Sequence, residues 1–299
     1  MKILLFGKNG QVGWELQRAL APIADLVAVD REDTDPACGD LTAVNRVLAT
    51  VRNVRPDAIV NAAAHTAVDA AEGEADLARA INATGPAVLA RAAVECDAWL
   101  VHYSTDYVFN GAGSKPWTED DATGPLNVYG KTKLEGEQLI RSSDCRHLIL
   151  RTSWVYASRG HNFARTMLRL AAERDQLTII DDQHGAPTGA DLLADVTAHA
   201  LLAAIRRPEL GGTYHVTATG DTTWFGYARH VVEAARATGQ PVRVAPDAIR
   251  PVASSAFKTA AARPQNSRLD TSKFRKSFDL ALPHWKTGVD RMLTEIMGR

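Results

Sequence analysis

The sequence predicts an α/β protein with a doubly wound parallel sheet and a smaller, mostly C-terminal lobe. Three observations support this fold class. Short apolar runs alternate with segments of helical spacing, as in successive βαβ units. The first apolar run leads directly into a loop with three glycines. Hydroxyl-bearing or acidic side chains follow several later runs, which places them at the edge of a parallel sheet where ligands bind.

Length and composition limit the classes of protein to consider. At 299 residues the chain exceeds the size of one comfortable core, and its 45% hydrophobic content supports two packed lobes. A net charge of −1 argues against nucleic acid or a membrane surface as partner. We expect no signal peptide and no membrane helix, since no apolar run approaches the ~20 residues required. The scattered Cys38, Cys96 and Cys145 suit reduced thiols in a cytoplasmic protein.

The glycine loop follows the first predicted strand, Ile3–Phe6. Glycines at this position let the backbone turn tightly and approach a pyrophosphate, whose charge is met by N–H groups at the start of the next helix. An ordinary strand-to-helix turn is the alternative. The cofactor-binding residues predicted here are Gly7, Gly10, Gln11, Val12 and Gly13.

The second predicted strand, Leu26–Val29, ends at Asp30. An acidic residue at this distance from the glycines binds the adenosine ribose of a dinucleotide, and its charge favours the free 2′-hydroxyl of NADH. Arg31 follows immediately and could neutralise the 2′-phosphate of NADPH. The sequence therefore predicts a nicotinamide cofactor and leaves NADH and NADPH open.

Small side chains follow the third predicted strand, Asp57–Asn61. They would let a dinucleotide lie against the backbone, although tight helix packing explains them equally well. These residues are Ala62, Ala63 and Ala64. His65 lies in the loop beyond them and is assigned no chemistry. A long alanine-rich helix is predicted at Ala75–Glu95.

Tyr129 and Lys133 lie four residues apart near the start of a segment with helical spacing, so they share one helix face. A phenol with a pKa of about 10 transfers protons poorly at neutral pH unless a cation stabilises its ionised form. Lys133 is placed to be that cation. Tyr129 could then protonate a carbonyl oxygen while hydride reaches the carbonyl carbon, and Thr105 could hold that oxygen. By itself such a pair also fits a solvated helix face.

The C-terminal half contains a strand, Leu148–Thr152, that leads to Trp154, and then a looser alternation. Residues 190–216 are predicted to return to the sheet. Between Arg250 and Arg299 ten Lys or Arg stand against four Asp or Glu. This local excess of positive charge suits a diphosphate, although a solvated basic face is the alternative.

Four strings resemble the extended, sugar-nucleotide branch of the short-chain dehydrogenase/reductase superfamily, and within it the dTDP-4-dehydrorhamnose reductase family. The resemblance extends from Met1 to about Met297. The strings are Ser104-Thr105-Asp106-Tyr107-Val108-Phe109, Pro125-Leu126-Asn127-Val128-Tyr129-Gly130-Lys131, Arg151-Thr152-Ser153-Trp154-Val155-Tyr156 and Gly185-Ala186-Pro187-Thr188-Gly189.

The resemblance implies a Rossmann-type domain at residues 1–155, with 190–216 returning to it, and a substrate-binding lobe at 156–189 and 217–299. It implies NAD(P)H-dependent reduction of the C4 ketone of dTDP-4-dehydro-β-L-rhamnose to dTDP-β-L-rhamnose. This is the last step in making that sugar donor, a precursor of cell-surface polysaccharides such as O-antigen.

The resemblance also implies roles for individual residues. Tyr129 is the general acid, Thr105 positions the ketone, and Lys133 tunes the acid and binds the nicotinamide ribose. Asp40 and Leu41 lie against the adenine, and Asn82 is a structural polar position. The substrate-binding residues implied are Thr105, Asp106, Trp154, Arg263 and Arg268.

Other functions remain open at this level. An epimerase or dehydratase of nucleotide sugars would keep NAD tightly bound and recycle it, but Tyr107 stands where a 4,6-dehydratase is expected to have an acid. A non-catalytic regulatory subunit would bind cofactor without reducing a sugar. Some members of the family form homodimers bridged by Mg²⁺. Glu15 and Asp191 are the candidate ligands here, but no compact motif of oxygen ligands supports them, and the homodimer is likewise an expectation.

Overall fold

The computed structural model describes residues 1–33 and 37–298. Its strands are β1 (Lys2–Phe6), β2 (Asp25–Val29), β3 (Ala58–Asn61), β4 (Trp99–Thr105), β5 (His147–Thr152), β6 (Val155–Tyr156), β7 (Leu177–Ile180), β8 (His184–Gly185), β9 (Thr188–Gly189), β10 (Gly212–His215), β11 (Thr222–Thr223) and β12 (Ile249–Val252). Its helices are α1 (Gln11–Leu20), α2 (Val44–Val54), α3 (Val68–Ala71), α4 (Ala75–Arg79), α5 (Gly85–Cys96), α6 (Val128–Arg141), α7 (Phe163–Glu173), α8 (Ala190–Arg206), α9 (Trp224–Ala237), α10 (Ser272–Phe278) and α11 (Trp285–Met297).

Six parallel strands form the central sheet in the order β10-β5-β4-β3-β1-β2. The chain starts at β1, places β2 on one side and then continues from β3 on the other side. Strand order therefore reverses between β1 and β3, which is where open α/β sheets bind ligands, beyond the carboxyl ends of the strands. The predicted fold class is confirmed.

Alternation along β1 shows how the sheet is covered on both faces. Ile3 and Leu5 pack into a cluster with α1, α8 and α10, whereas Leu4 and Phe6 pack into a cluster with α2, α5 and α6. Successive side chains of a strand point to opposite faces, so a strand that is apolar at every position must be buried on both. Helices therefore lie on both faces, as the sequence predicts.

A third hydrophobic cluster lies outside the sheet and joins α7, α9 and α11. Met167, Val231 and Val289 are among its buried residues. The strand β10 pairs with β5, and α8 packs on α1, so residues from the second half of the chain contribute to the sheet. The boundaries of the two predicted lobes stay a prediction.

The helix predicted at Ala75–Glu95 is interrupted. A five-residue π-helical turn, Ala80–Thr84, separates α4 from α5. Pro86, at the start of α5, has no backbone N–H to donate, which disfavours uninterrupted α-helical hydrogen bonding across this region. The wider turn contains the buried Asn82, whose side chain binds both the backbone N–H and the carbonyl of His65. Within residues 1–33 and 37–298, no helix is long and apolar enough to cross a membrane.

Candidate active site

A cavity of about 630 Å³ lies beyond the carboxyl ends of β1 to β5, at the point where strand order reverses. Most of the predicted site residues line it, although they come from separate parts of the sequence. Those residues are Gly7, Gly10, Gln11, Val12, Asp30, Arg31, Asp40, Leu41, Ala62, Ala63, Ala64, Thr105, Asp106, Tyr129, Lys133 and Trp154. Gly13, Arg263 and Arg268 are the predicted residues that do not line it.

Gly13 supports the glycine loop from behind. A Cβ at this position would lie 1.9 Å from the carbonyl oxygen of Gly7, which is a severe clash with backbone. Gly7 has φ +84°, a conformation that favours glycine. The two glycines therefore let the start of α1 pack directly on the loop, so the N–H groups at the helix start lie at the cavity.

The carboxylate of Asp30, at the rim of the cavity, accepts hydrogen bonds from two backbone N–H groups. Its Oδ2 accepts from the N–H of Asn9 at 3.1 Å, and its Oδ1 accepts from the N–H of Arg31 at 2.7 Å. Beside it Lys8 and Asp33 form an ion pair with an N–O distance of 2.6 Å. The sequence analysis did not predict this pair, because a lone Lys in a glycine loop has no distinctive spacing.

Local packing brings Tyr129 close to Thr105. Asn127 caps α6, its Oδ1 accepting from the N–H of Gly130 at 2.8 Å. A Cβ on Gly130 would lie 2.2 Å from the carbonyl oxygen of Tyr107, so only glycine lets α6 start against the turn after β4. As a result, the phenol of Tyr129 lies close to the side chain of Thr105, and both line the cavity.

The electrostatics of this pair differ from the expectation that Lys133 makes the phenol more acidic. Burial raises the pKa of Tyr129 to about 12. The Nζ of Lys133 instead donates to the backbone oxygen of Tyr103 at 2.6 Å and lies 3.2 Å from Nε2 of His102. Burial also lowers the pKa of Lys133 to about 8. The spacing that places two residues on one helix face does not determine what the longer side chain contacts.

Asp106 is a second group in the cavity that can carry a proton near neutral pH. Burial raises the pKa of its carboxyl to about 7, although hydroxyls of Ser267 and Thr105 act against that shift. Its Oδ1 accepts from the Thr105 hydroxyl at 3.1 Å, and its Oδ2 has no hydrogen-bond partner among the described residues. An unsatisfied buried carboxyl oxygen is costly by itself, so it is available to a donor on a ligand.

Trp154 lines the cavity with a partner that the sequence analysis missed. Its ring stacks on that of Trp224, with centroids 3.7 Å apart and an angle of 15° between the planes. Trp154 has φ +48°, an uncommon backbone conformation for a non-glycine residue. Trp224 opens α9, some seventy positions away, and no local pattern distinguishes it from a core residue. Stacked face to face, the two indoles each cover one face of the other, and both line the cavity.

A second cavity of about 560 Å³ adjoins the first, since Tyr107 and Trp224 line both. Arg263 lines this second cavity and pairs with Asp69 at 2.6 Å. Arg268 lines neither cavity and pairs with Asp221 at 2.8 Å. The sequence analysis grouped the two arginines together. In the structure they lie apart, because each forms an ion pair with a different carboxylate.

The candidate magnesium ligands do not come together within this chain. Glu15 pairs with Arg18 at 3.2 Å, and Asp191 pairs with Arg291 at 3.4 Å. Among the residues that the structure describes, no group of three or more His, Cys, Asp or Glu side chains could hold a metal ion. Carboxylates already paired with arginines do not fit a dedicated cation site.

A buried ion pair holds the helix that carries Tyr129 against the sheet. Glu137, fully buried on α6, accepts two hydrogen bonds from Arg151 of β5, at 2.9 and 2.7 Å. The hydroxyl of Ser104, next to Thr105 in β4, donates to the same carboxylate at 2.5 Å. The network therefore fixes α6 relative to the strand ends. Sequence reasoning missed it because its members lie in three separate elements.

Comparison with known proteins gives one consistent family. The family model described as RmlD substrate binding domain matches residues 1–297. The dTDP-4-dehydrorhamnose reductase of Escherichia coli K12 is 57% identical over 296 residues, covering 99% of this chain and 98% of the relative. The enzyme of the same name from Burkholderia thailandensis is 43% identical, with both chains fully covered.

Solved structures agree with the sequence relatives. A dTDP-4-dehydrorhamnose reductase from Clostridium acetobutylicum superposes with a TM-score of 0.89 at 36% identity, covering 99% of this chain and 100% of the other. The Bacillus anthracis reductase, solved in complex with NADP, has a TM-score of 0.87 at 35% identity, with the same coverage. Both likenesses extend over the whole chain.

Proposed function

We propose, because the chain belongs to the dTDP-4-dehydrorhamnose reductase family, that it uses NAD(P)H to reduce the C4 ketone of dTDP-4-dehydro-β-L-rhamnose, giving dTDP-β-L-rhamnose. The reaction would complete the synthesis of a sugar donor for cell-surface polysaccharide. One observation supports the proposal most strongly. The glycine loop, Asp30 and the group of Thr105, Tyr129 and Lys133 line a single cavity at the reversal point of the sheet.

In this proposal Tyr129 is the general acid. The reduced nicotinamide supplies hydride to C4 when it is bound, and the phenol of Tyr129 transfers its proton to the C4 oxygen. Burial keeps the phenol protonated at neutral pH, since it raises the pKa of Tyr129 to about 12. Thr105, which lies close to that phenol, would position the ketone oxygen. The cation of Lys133 would stabilise the tyrosinate that proton transfer leaves behind.

The remaining contacts divide the substrate between the two cavities. The sugar would lie at their junction, against the indoles of Trp154 and Trp224, because flat apolar surfaces suit the face of a sugar ring. Asp106 would accept from sugar hydroxyls through its unpartnered Oδ2. Arg263, which lines the second cavity, would contribute positive charge near the diphosphate. The lobe built on the third hydrophobic cluster would then bind the nucleotide.

Arg31 is expected to determine the preference between the two cofactors. It is exposed at the cavity rim beside Asp30, and no carboxylate among the described residues pairs with it. Arg31→Ala should weaken NADPH binding about tenfold, since hydrogen bonds to a charged group contribute about 1.5–3 kcal/mol, and should change NADH binding little. Cofactor titration by fluorescence measures both affinities. Arg91→Ala, on the surface of α5, is the control, and equal losses for both cofactors would contradict the assignment.

The proposed reaction is tested by following reduced nicotinamide while the dTDP-keto-sugar is generated in place. We expect consumption of one NADPH or NADH for each dTDP-rhamnose formed. Product without net consumption of cofactor would instead indicate an epimerase or dehydratase that recycles bound NAD. Cofactor binding without turnover would indicate a regulatory subunit.

The cellular setting follows from the same proposal. We place the enzyme in the cytoplasm, where its nucleotide-sugar substrate and reduced cofactor are made, and where Cys38, Cys96 and Cys145 stay as the free thiols observed. A homodimer remains part of the proposal. Since Glu15 and Asp191 are already paired with arginines, we do not assign them a bridging Mg²⁺.

A further inference from the structure

Three fully buried polar side chains form a row below the cavity. Asn61 ends β3, His102 is its direct neighbour in β4, and Lys133 reaches them from α6. The exposed fractions of the three residues are 1%, 0% and 2%. Asn61 Nδ2 lies 3.1 Å from His102 Nδ1, and His102 Nε2 lies 3.2 Å from Lys133 Nζ. Buried polar groups must satisfy one another, so the direction of each hydrogen bond can be worked out.

The orientation of Asn61 is set by the backbone. The N–H of Ala63 donates to Asn61 Oδ1 at 3.1 Å, so this oxygen is the acceptor end of the amide. The Nδ2 group, a donor, therefore faces His102, and Nδ1 of the imidazole must accept. His102 is neutral, because its complete burial holds its pKa well below the usual range. A neutral imidazole that accepts at Nδ1 carries its proton on Nε2.

That Nε2–H points at Lys133. An ammonium group has no lone pair, so it cannot accept from Nε2–H, whereas a neutral amine can accept from it and still donate to Tyr103 O at 2.6 Å. Burial lowers the pKa of Lys133 to about 8, and this arrangement acts in the same direction. Glu137, one turn further along α6, acts against these two effects, because its negative charge favours the cation and raises the pKa of Lys133. Tyr129, one turn earlier on α6, contributes no charge near pH 8, because burial raises its pKa to about 12.

We propose that Asn61 and His102 are positioning residues for Lys133: Asn61 fixes the His102 proton on Nε2, and that N–H donates to the lysine nitrogen and so favours its amine form. The consequence for catalysis rests on the proposed function. If the Lys133 cation stabilises the tyrosinate, kcat/KM falls as pH rises through the pKa of Lys133. The Asn61–His102 pair then determines where that fall occurs.

The decisive test is the tautomer of His102 in the full-length protein, which needs neither substrate nor activity. Long-range ¹H–¹⁵N correlation spectra of protein labelled at its nine histidines distinguish a proton on Nε2 from one on Nδ1. The His102 signals are identified by their loss in His102→Gln. At pH 9, above the pKa of Lys133 of about 8, we expect the Nε2–H form, and either the Nδ1–H form or an imidazolium at this pH would overturn the proposal.

A single substitution should reverse the arrangement. In Asn61→Asp the carboxylate can accept from both Ala63 N–H and His102 Nδ1–H, which leaves Nε2 free to accept from a Lys133 ammonium. The spectrum should change to the Nδ1–H form, and the fall of kcat/KM with pH should move upward by about one unit or more. The control Asn82→Asp also buries a carboxyl but has no contact with His102, and should leave the tautomer unchanged.

An unchanged tautomer in Asn61→Asp would overturn the role of Asn61, and an unchanged pH profile would overturn the link to Lys133. If the enzyme reduced no keto-sugar at all, the proposed function would fail. The wild-type spectrum would still decide the hydrogen-bond arrangement.

Discussion

Tyr129→Phe should lower kcat by about 10²–10⁴-fold, because it removes the proton donor for the C4 oxygen. The ring itself would stay, including its edge-to-face contact with Tyr107, whose centroid lies 5.6 Å away. The glycine loop and Asp30 are not altered, so affinity for NADPH should be nearly unchanged. Steady-state kinetics with the dTDP-keto-sugar and cofactor titration measure the two effects separately.

Tyr227→Phe is the matched control for that experiment. Tyr227 is also buried, lies in the third hydrophobic cluster, and has a hydroxyl without a hydrogen-bond partner among the described residues. Its loss removes a phenol oxygen without touching the cavity, so turnover should be retained. Full activity in Tyr129→Phe would reject Tyr129 as the acid. Equal losses in both variants would mean that any buried phenol oxygen matters for folding instead.

Glu137→Leu should lower the free energy of unfolding by about 3–5 kcal/mol, since it leaves Arg151 as an unpaired buried cation. Arg151 is 3% exposed and lies on β5, between β10 and β4, where solvent cannot compensate the lost partner. The substitution also removes the acceptor for Ser104. Urea unfolding followed by circular dichroism measures the loss.

Two controls separate the lost pair from the change of side chain. The double variant Glu137→Leu with Arg151→Met should recover much of the stability, because it removes both charges together. Glu173→Leu breaks an exposed pair with Arg169 and should cost less than about 1 kcal/mol. A loss in Glu137→Leu no larger than that of Glu173→Leu would contradict the interpretation.

The pH dependence of this effect has a definite sign. Burial alone would raise the pKa of Glu137, but Arg151, Ser104 and Arg141 outweigh it and lower the pKa. A carboxyl whose pKa is lower in the folded state stabilises the protein above its unfolded-state pKa, and this stability is lost as pH falls through the folded-state value. The difference between wild type and Glu137→Leu should therefore shrink in strong acid.

The sequence analysis correctly predicted that residues close to predicted strand and helix ends would meet at one cavity. The glycine loop, Asp30, and the spacing of Tyr129 and Lys133 are each visible within a few residues of a predicted strand or helix. Because parallel strands end at one edge of the sheet, knowing that these residues follow strand ends was enough to bring them to one cavity. Apolar runs without alternation likewise predicted strands buried on both faces.

The sequence alone thus determined the fold class and most of the side chains that line the cavity, since both follow from local periodicity and short spacings. Only the tertiary structure decided which partners those groups have. In the folded protein Trp224 stacks on Trp154, and Arg268 forms an ion pair with Asp221. Lys133 forms hydrogen bonds with His102 and with the backbone oxygen of Tyr103. These contacts join residues far apart in the chain, and their choice depends on burial and hydrogen-bond direction, which no short stretch of sequence encodes.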